Sequence, residues 1–299
     1  MSVLVAGSTA LDSIKTPYRE KPRLLGGSAS HAAVAASLFA PVRLVGIVGD
    51  DFPRRYLSLY RRHGIDLAGL QRARGQTFHW SGEYELNMNN RRTLKTELGV
   101  LAGFTPRLPV GYPQTPFVLL ANNAPALQLQ VLDQMRRPRF VVADTMDLWL
   151  NTARKELLEL LCRVDALVLN DSEARQLAGA DNVIAAAQKL HRLGPRFIII
   201  KKGEHGALLS YPGGLFLAPA FPLATVVDPT GAGDSFAGGL VGYLAAQKGP
   251  IVRHLKRAMI YGSVVASFCC EGFGLSRTTQ VTRADVERRV KQLAEVSRW

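Results

Sequence analysis

One run of seven residues carries the clearest chemistry in this chain. Asp228-Pro229-Thr230-Gly231-Ala232-Gly233-Asp234 sets three small residues between two carboxylates, just ahead of an apolar helical pattern at Phe236, Leu240, Tyr243 and Leu244. With no bulky side chain in the way, the backbone N–H groups of Gly231, Ala232 and Gly233 can converge on an anion, and the helix N-terminus adds its dipole. Such a hole suits the charge of a phosphoryl group in transfer. Asp234 falls in the first helical turn beside it, placed to take a proton from an attacking hydroxyl. The plainer alternative is a tight turn with Asp234 as a helix cap. No Gly-Lys-Ser/Thr follows, so this is not a Walker-type phosphate loop.

Four further groups have the right types to serve such a centre. Asp12 follows the first apolar run, where a lone Asp is otherwise a turn former. Gly26-Gly27-Ser28-Ala29-Ser30-His31 opens a helix, and paired glycines let a hydroxyl approach the backbone closely. Asn170-Asp171-Ser172-Glu173 offers oxygen donors sufficient for a largely hydrated magnesium ion, or else a capping box. Lys201-Lys202-Gly203-Glu204-His205-Gly206 brings a lysine and two glycines to a strand end, where a cation suits nucleotide phosphates.

Taken in order, these segments resemble the PfkB/ribokinase family of carbohydrate and nucleoside kinases. Residues 228–239 match every fixed position of its C-terminal signature, and the likeness runs over nearly the whole chain. The resemblance implies ATP as phosphoryl donor, Asp234 as catalytic base and Gly231, Ala232 and Gly233 as the anion hole. It implies Asp12, Gly26, Gly27 and His31 around the acceptor, and Lys201, Gly203, Gly206 and Thr230 around the nucleotide. It places magnesium near Asn170 and Glu173 through water, and in potassium-activated members a monovalent cation near Asp228 and Thr230. Residues 267–274 would lie near the adenine. Many members dimerise through their lid.

Two departures concern the acceptor. His31 stands where the family usually has Asn, and Met146 in Asp144-Thr145-Met146-Asp147 replaces the Asn of a sugar-kinase pattern. A small sugar or sugar derivative, phosphorylated on a primary hydroxyl, is the first expectation. A nucleoside is the alternative, with Phe78, His79, Trp80 and Tyr84 as a shelf for its base. A non-catalytic metabolite-binding regulator is the remote rival, and the intact Asp234 argues against it.

The elements that must position these groups alternate. Strands are expected at 3–6, 42–48, 117–121, 140–143, 166–170 and 197–201, with helices at 28–39, 53–63, 126–136, 152–162, 172–178 and 182–193. That rhythm gives right-handed βαβ units, a mainly parallel sheet and a three-layer αβα fold. Strands at 207–211, 215–218 and 225–227 read as an antiparallel edge, followed by helices at 234–247, 251–270 and 283–297. Two stretches break the rhythm, 13–25 and 76–98, and together predict a small β lid. Asp51 is expected to cap the helix after it, with a structural glycine ahead of it in 46–52, and Pro53 is expected to open that helix.

Bulk properties agree with an enzyme. The 299 residues are 47% hydrophobic and 20% charged, enough for one large domain spanning 1–299. No apolar run approaches a membrane span, and the chain opens without a basic leader. Cys162, Cys269 and Cys270 have no CxxC spacing and read as buried thiols in a reducing cytoplasm. The net charge of +13 is spread over separate arginine pairs with no nucleic-acid motif, so neither a nucleic acid nor a membrane is the expected partner.

Overall fold

A computed structural model describes residues 1–298. The strands are β1 Val3–Ala6, β2 Ala10–Lys15, β3 Glu20–Gly26, β4 Val42–Val48, β5 Ile65–Asp66, β6 Leu70–Arg72, β7 His79–Tyr84, β8 Arg91–Glu97, β9 Phe117–Leu120, β10 Phe140–Asp144, β11 Ala166–Asn170, β12 Phe197–Lys201, β13 Ala207–Tyr211 and β14 Gly214–Ala218. The helices are α1 Ser28–Ser37, α2 Arg54–Arg62, α3 Pro125–Gln134, α4 Asp147–Thr152, α5 Arg154–Leu161, α6 Asp171–Ala178, α7 Val183–His191, α8 Ala232–Ala246, α9 Leu255–Cys269 and α10 Arg283–Val296. The large sheet runs β14-β13-β12-β11-β10-β9-β1-β4-β5, with β6 also on β4, and is parallel except at β12-β13-β14.

The central strands are apolar without interruption because both their faces are covered. Val3, Val5, Leu44, Leu119, Val142, Val168 and Ile199 pack with α1, α8 and α9. The alternate residues Leu4, Ala6, Val118, Leu120, Val141, Leu167 and Ile198 pack with α3, α5, α6 and α7. Three layers follow directly from that alternation.

One contact between helices positions the site. α1 is rich in alanine, and α8 carries glycine where the two touch. A Cβ on Gly238 would stand 2.2 Å from the Ala32 carbonyl oxygen, and one on Gly242 2.7 Å from that of Ala36. Backbone meets backbone only because side chains are missing there. The N-terminal turns of α1 and α8, bearing His31 and Asp234, are thereby held together.

β3-β2-β7-β8 form the lid sheet, with β2 and β7 parallel and the outer pairs antiparallel. Ser13 Oγ lies 2.9 Å from His79 Nε2, and His79 Nδ1 3.0 Å from Glu97 Oε2. This polar chain ties three lid strands together. Asp51 anchors the lid to the body: its Oδ1 accepts from Thr77 N–H and Oγ1–H, both at 2.7 Å, and its Oδ2 pairs with Arg23 at 2.6 Å.

Several expectations fail, each for a visible reason. Asp51 caps no helix; it is taken up by Thr77 and Arg23, and Pro53 occupies the N-cap itself. Residues 225–227 form no strand, because their backbone turns to the end of α9, where Val227 N–H donates to Cys270 O at 2.8 Å. The helix expected at 152–162 is α5, but a separate helix that was not expected, α4, precedes it; the two are divided at Ala153 (φ −140°), where Asn151 and Thr152 side chains bond to preceding carbonyls. The lid's expected buried stripe covers only part of its length. Tyr84 is buried with Ile14 and Met88, but β8 is exposed throughout and Leu86 is 76% exposed. Of the cysteines only Cys269 is buried; Cys162 is exposed and Cys270 intermediate. The two-residue β5 and the short β6 were too brief to show a period in the sequence.

Candidate active site

The segment 229–234 is a partition between two cavities. Thr230, Gly231 and Asp234 face the larger, about 710 Å³. Pro229, Ala232 and Gly233 face the smaller, about 380 Å³. The turn is left-handed at Gly231 (φ +78°) and leads straight into α8. Ala232 N–H is engaged, donating to Pro229 O at 3.1 Å, whereas no protein acceptor among the described residues takes the N–H of Gly231 or Gly233. Two of the three expected hole amides are therefore available to a ligand.

Asp12, Gly27 and His31 join Asp234 on the larger cavity. Asp12 is 5% exposed; its Oδ2 accepts from Gly27 N–H at 3.2 Å, while Oδ1 is buried with no partner. Burial pushes its carboxyl up to about 7, with the charges of Asp228 and Asp234 adding to the effect. Gly26 does not line the cavity; it makes room, since a Cβ there would collide with the Asp12 carboxyl. His31 is buried, its Nε2 unpartnered and its Nδ1 3.7 Å from Cys269 Sγ. Burial holds it down to about 4, against the pull of Asp228, so the ring is neutral at physiological pH. Burial also raises Asp234, with Lys201 and Arg91 opposing.

Trp80 and Phe78 of the expected shelf complete this cavity, without His79 and Tyr84, together with Trp149, Phe104 and Arg91, which sequence reasoning passed over. Trp149 and Trp80 both line it, with Phe78, Phe104 and Met146. Trp149 is fixed by Nε1–H donation to Asn122 Oδ1 at 2.9 Å. Arg91 reaches in from β8 with its guanidinium 5.7 Å from the Trp80 ring centre. In the sequence Arg91 was one of several scattered arginine pairs, and Trp149 lay in a stretch, now α4, to which no element was assigned. Only the fold distinguishes them.

Lys201, Gly203 and Gly206 lie on the smaller cavity. The ammonium of Lys201 is 3.0 Å from Oδ2 of Asp144, the first residue of the segment in which Met146 departs from the sugar-kinase pattern, and a Cβ on Gly233 would stand 2.9 Å from that ammonium. Burial works to lower Lys201, but Asp144, Glu173 and Asp234 outweigh it and keep it charged.

Asn170, Glu173 and Asp228 line neither cavity. Asn170 and Glu173 form a reciprocal capping box at the start of α6, with Glu173 Oε2 accepting Asn170 N–H at 2.7 Å and Asn170 Oδ1 accepting Glu173 N–H at 2.8 Å. Glu173 is pushed up to about 7 by burial, with Lys201 opposing. Asp228 is fully buried and accepts from Thr230 N–H at 2.9 Å and Gly274 N–H at 2.8 Å. Thr230, which the sequence assigned to the nucleotide, faces the larger cavity instead, and its hydroxyl donates to Tyr84 Oη of the lid at 3.1 Å. The segment 267–274, expected near the adenine, reaches the smaller cavity at Ser267 and Cys270.

Residues 118–281, more than half of the chain, match the pfkB family of carbohydrate kinases. The chain belongs to that family. A cytidine kinase of Thermococcus kodakarensis is 31% identical over 250 residues, covering 81% of this chain and 88% of its own length. The fold agrees with that of a Methanocaldococcus jannaschii nucleoside kinase (TM-score 0.78, 20% identity, 97% of this chain and 98% of that one). It also agrees with that of a Salmonella enterica aminoimidazole riboside kinase solved with aminoimidazole riboside and an ATP analogue (TM-score 0.77, 22% identity, 97% and 100%). This pfkB-family protein is an ATP-dependent kinase of sugars or nucleosides, with the three-layer ribokinase fold expected from its sequence. No helix among its described residues is long and apolar enough to cross a membrane.

Proposed function

We propose that the acceptor is a nucleoside, phosphorylated on the primary hydroxyl of its sugar. The observation that carries this reading is the pairing, in one cavity, of the Asp12 and Asp234 carboxylates with two indoles and two phenyl rings. Sugar hydroxyls match the carboxylates, and a planar base matches Trp80 and Trp149. The volume of about 710 Å³ exceeds what a lone sugar ring fills and falls among pockets for larger small molecules. The sequence by itself favoured a sugar; the cavity favours the alternative. The name of the cytidine kinase relative agrees with it. A coupled ATP-consumption panel of nucleosides and free sugars tests the choice: turnover with ribose or fructose but with no nucleoside would sink it.

In this reading the larger cavity holds the acceptor and the smaller one ATP, and the γ-phosphoryl crosses at Gly231–Asp234. Asp234 takes the proton of the hydroxyl as it attacks, and the free amides of Gly231 and Gly233 receive the charge of the transferring group. Asp12, through its unpartnered Oδ1, accepts from a second sugar hydroxyl. Arg91 reinforces the negative charge from the lid side, and Lys201 does so from the nucleotide side.

Magnesium, when bound, neutralises the phosphates. Asn170 and Glu173 offer it hard oxygens, and Glu173 is buried beside a lysine, which fits an outer, water-linked role. Asp228 fits a monovalent cation: its carboxylate is buried and among the described residues has two amide donors but no ion-pair partner. We assign the whole chain to one kinase domain with a lid from about 13–25 and 76–98, acting in the cytoplasm. The free, fully exposed edge strand β8 supports pairing of two lids in a homodimer.

A further inference from the structure

The lid reaches the smaller cavity as well as the larger. Its β7–β8 turn places Asn87, Met88 and Asn89 on the smaller cavity, facing Lys201, Gly203 and Glu204. The turn is firmly built. Met88 N–H donates to Glu85 O at 2.9 Å, and the N–H groups of Asn89 and Asn90 both donate to Asn87 Oδ1 at 3.0 Å. Met88 holds a left-handed conformation (φ +56°) that a non-glycine residue seldom adopts. Its side chain is buried with Ile14 and Tyr84, and that packing compensates the strain.

Two hydrogen bonds then dock this hairpin on the body. Tyr84 Oη meets Thr230 Oγ1 at the partition, and Asn89 Nδ2 donates to Glu204 Oε1 at 3.0 Å. Glu204 is largely exposed and among the described residues has no basic partner closer than His205 Nε2 at 4.0 Å. A triphosphate drawn in by Lys201 would meet this carboxylate unfavourably unless a neutral donor stood between them. The Asn89 carboxamide is a neutral donor bonded to that carboxylate on the wall of the same cavity. It already bonds to Glu204 and has a second N–H left to give.

We propose that Asn89 is a nucleotide-binding residue, the lid turn forming a wall of the nucleoside triphosphate site and donating to the sugar–phosphate portion of the ligand. The proposal rests on reading the smaller cavity as the ATP site. It gives the lid a second duty, since one rigid hairpin touches both substrates and nucleotide binding presses it onto Thr230.

Calorimetric titration with a non-hydrolysable ATP analogue and magnesium, without acceptor, tests it. Asn89→Ala is expected to weaken binding about tenfold, the scale of one hydrogen bond to a charged group. Asn89→Asp, which sets a second carboxylate beside Glu204, should weaken it further. Both should melt within a few degrees of wild type, and Arg92→Ala, altering an exposed lid residue off both cavities, should bind normally. Analogue affinity within twofold of wild type in both Asn89 variants overturns the proposal and leaves the ATP site standing. Failure of the wild-type protein to bind the analogue overturns both.

Discussion

The imidazole of His31 fills the space in front of Gly231: a Cβ on Gly231 would stand 2.2 Å from His31 Nδ1. The residue that departs from the family pattern thus braces the turn that matches it. Gly231→Ala meets both this ring and a left-handed backbone, the latter alone costing about 1–2 kcal/mol. We expect turnover to fall by at least about 10²-fold, the scale of losing one hole donor. His31→Asn removes the brace and leaves a void. Acceptor KM should rise more than kcat falls, with stability lower by about 1–3 kcal/mol. Steady-state kinetics and thermal melts separate the two effects, and a His31→Asn variant with wild-type KM would remove His31 from the acceptor site.

Asp234→Asn keeps the volume and removes the base. Turnover should drop about 10²–10⁴-fold or more while melting temperature holds or rises, since a buried carboxylate is lost. Near-normal turnover would end the assignment of Asp234 as base.

Asp12 gives a pH signature with a defined sign. Its folded pKa, about 7, lies above the ordinary 3.8, so the folded state holds its proton more tightly than the unfolded chain. Stability from this group is present at low pH and is lost as pH rises from about 4 to about 7. Glu173, also raised to about 7, adds in the same direction. Asp12→Asn should therefore melt higher than wild type at pH 8, by about 1–3 kcal/mol, with the gap closing towards pH 4. The same variant should raise acceptor KM, and the fall in KM expected of the wild type between pH 6 and 8, as Asp12 ionises, should be absent from it. Identical melting differences at pH 5 and pH 8 would contradict the sign.

Lys201 and Asp144 form a pair with side chains 19% and 3% exposed. Removing one partner strands the other. Lys201→Ala should destabilise the protein by about 3–5 kcal/mol, and adding Asp144→Asn should recover part of that. ATP affinity should not recover in the double variant, because the cation facing the phosphates is still missing. Full recovery of ATP affinity would make Lys201 a purely structural residue.

Potassium offers a test at Asp228. Replacing it with tetramethylammonium at constant ionic strength should lower turnover severalfold, since the larger ion cannot sit against a fully buried carboxylate. Equal rates in the two salts would count against a cation there.

The sequence alone determined the reaction and most of the scaffold. Uninterrupted apolar strands between helices can be covered only on both faces, and the run from Asp228 to Gly239, a capped turn or an anion hole on its residues alone, points to phosphoryl transfer through its likeness to the family signature. It could not show that this turn divides two cavities, that α1 and α8 meet backbone to backbone, or that Arg91, Asp144 and Trp149 belong to the site. Those residues come from β8, β10 and α4, the first some fifty residues before the others, and their roles depend on long-range packing that leaves no local period. The same holds for burial, the main cause that raises Asp12 and keeps His31 neutral. The acceptor was left open by the sequence for this reason: the side chains around its cavity are brought together only by the packing of the lid sheet on the body.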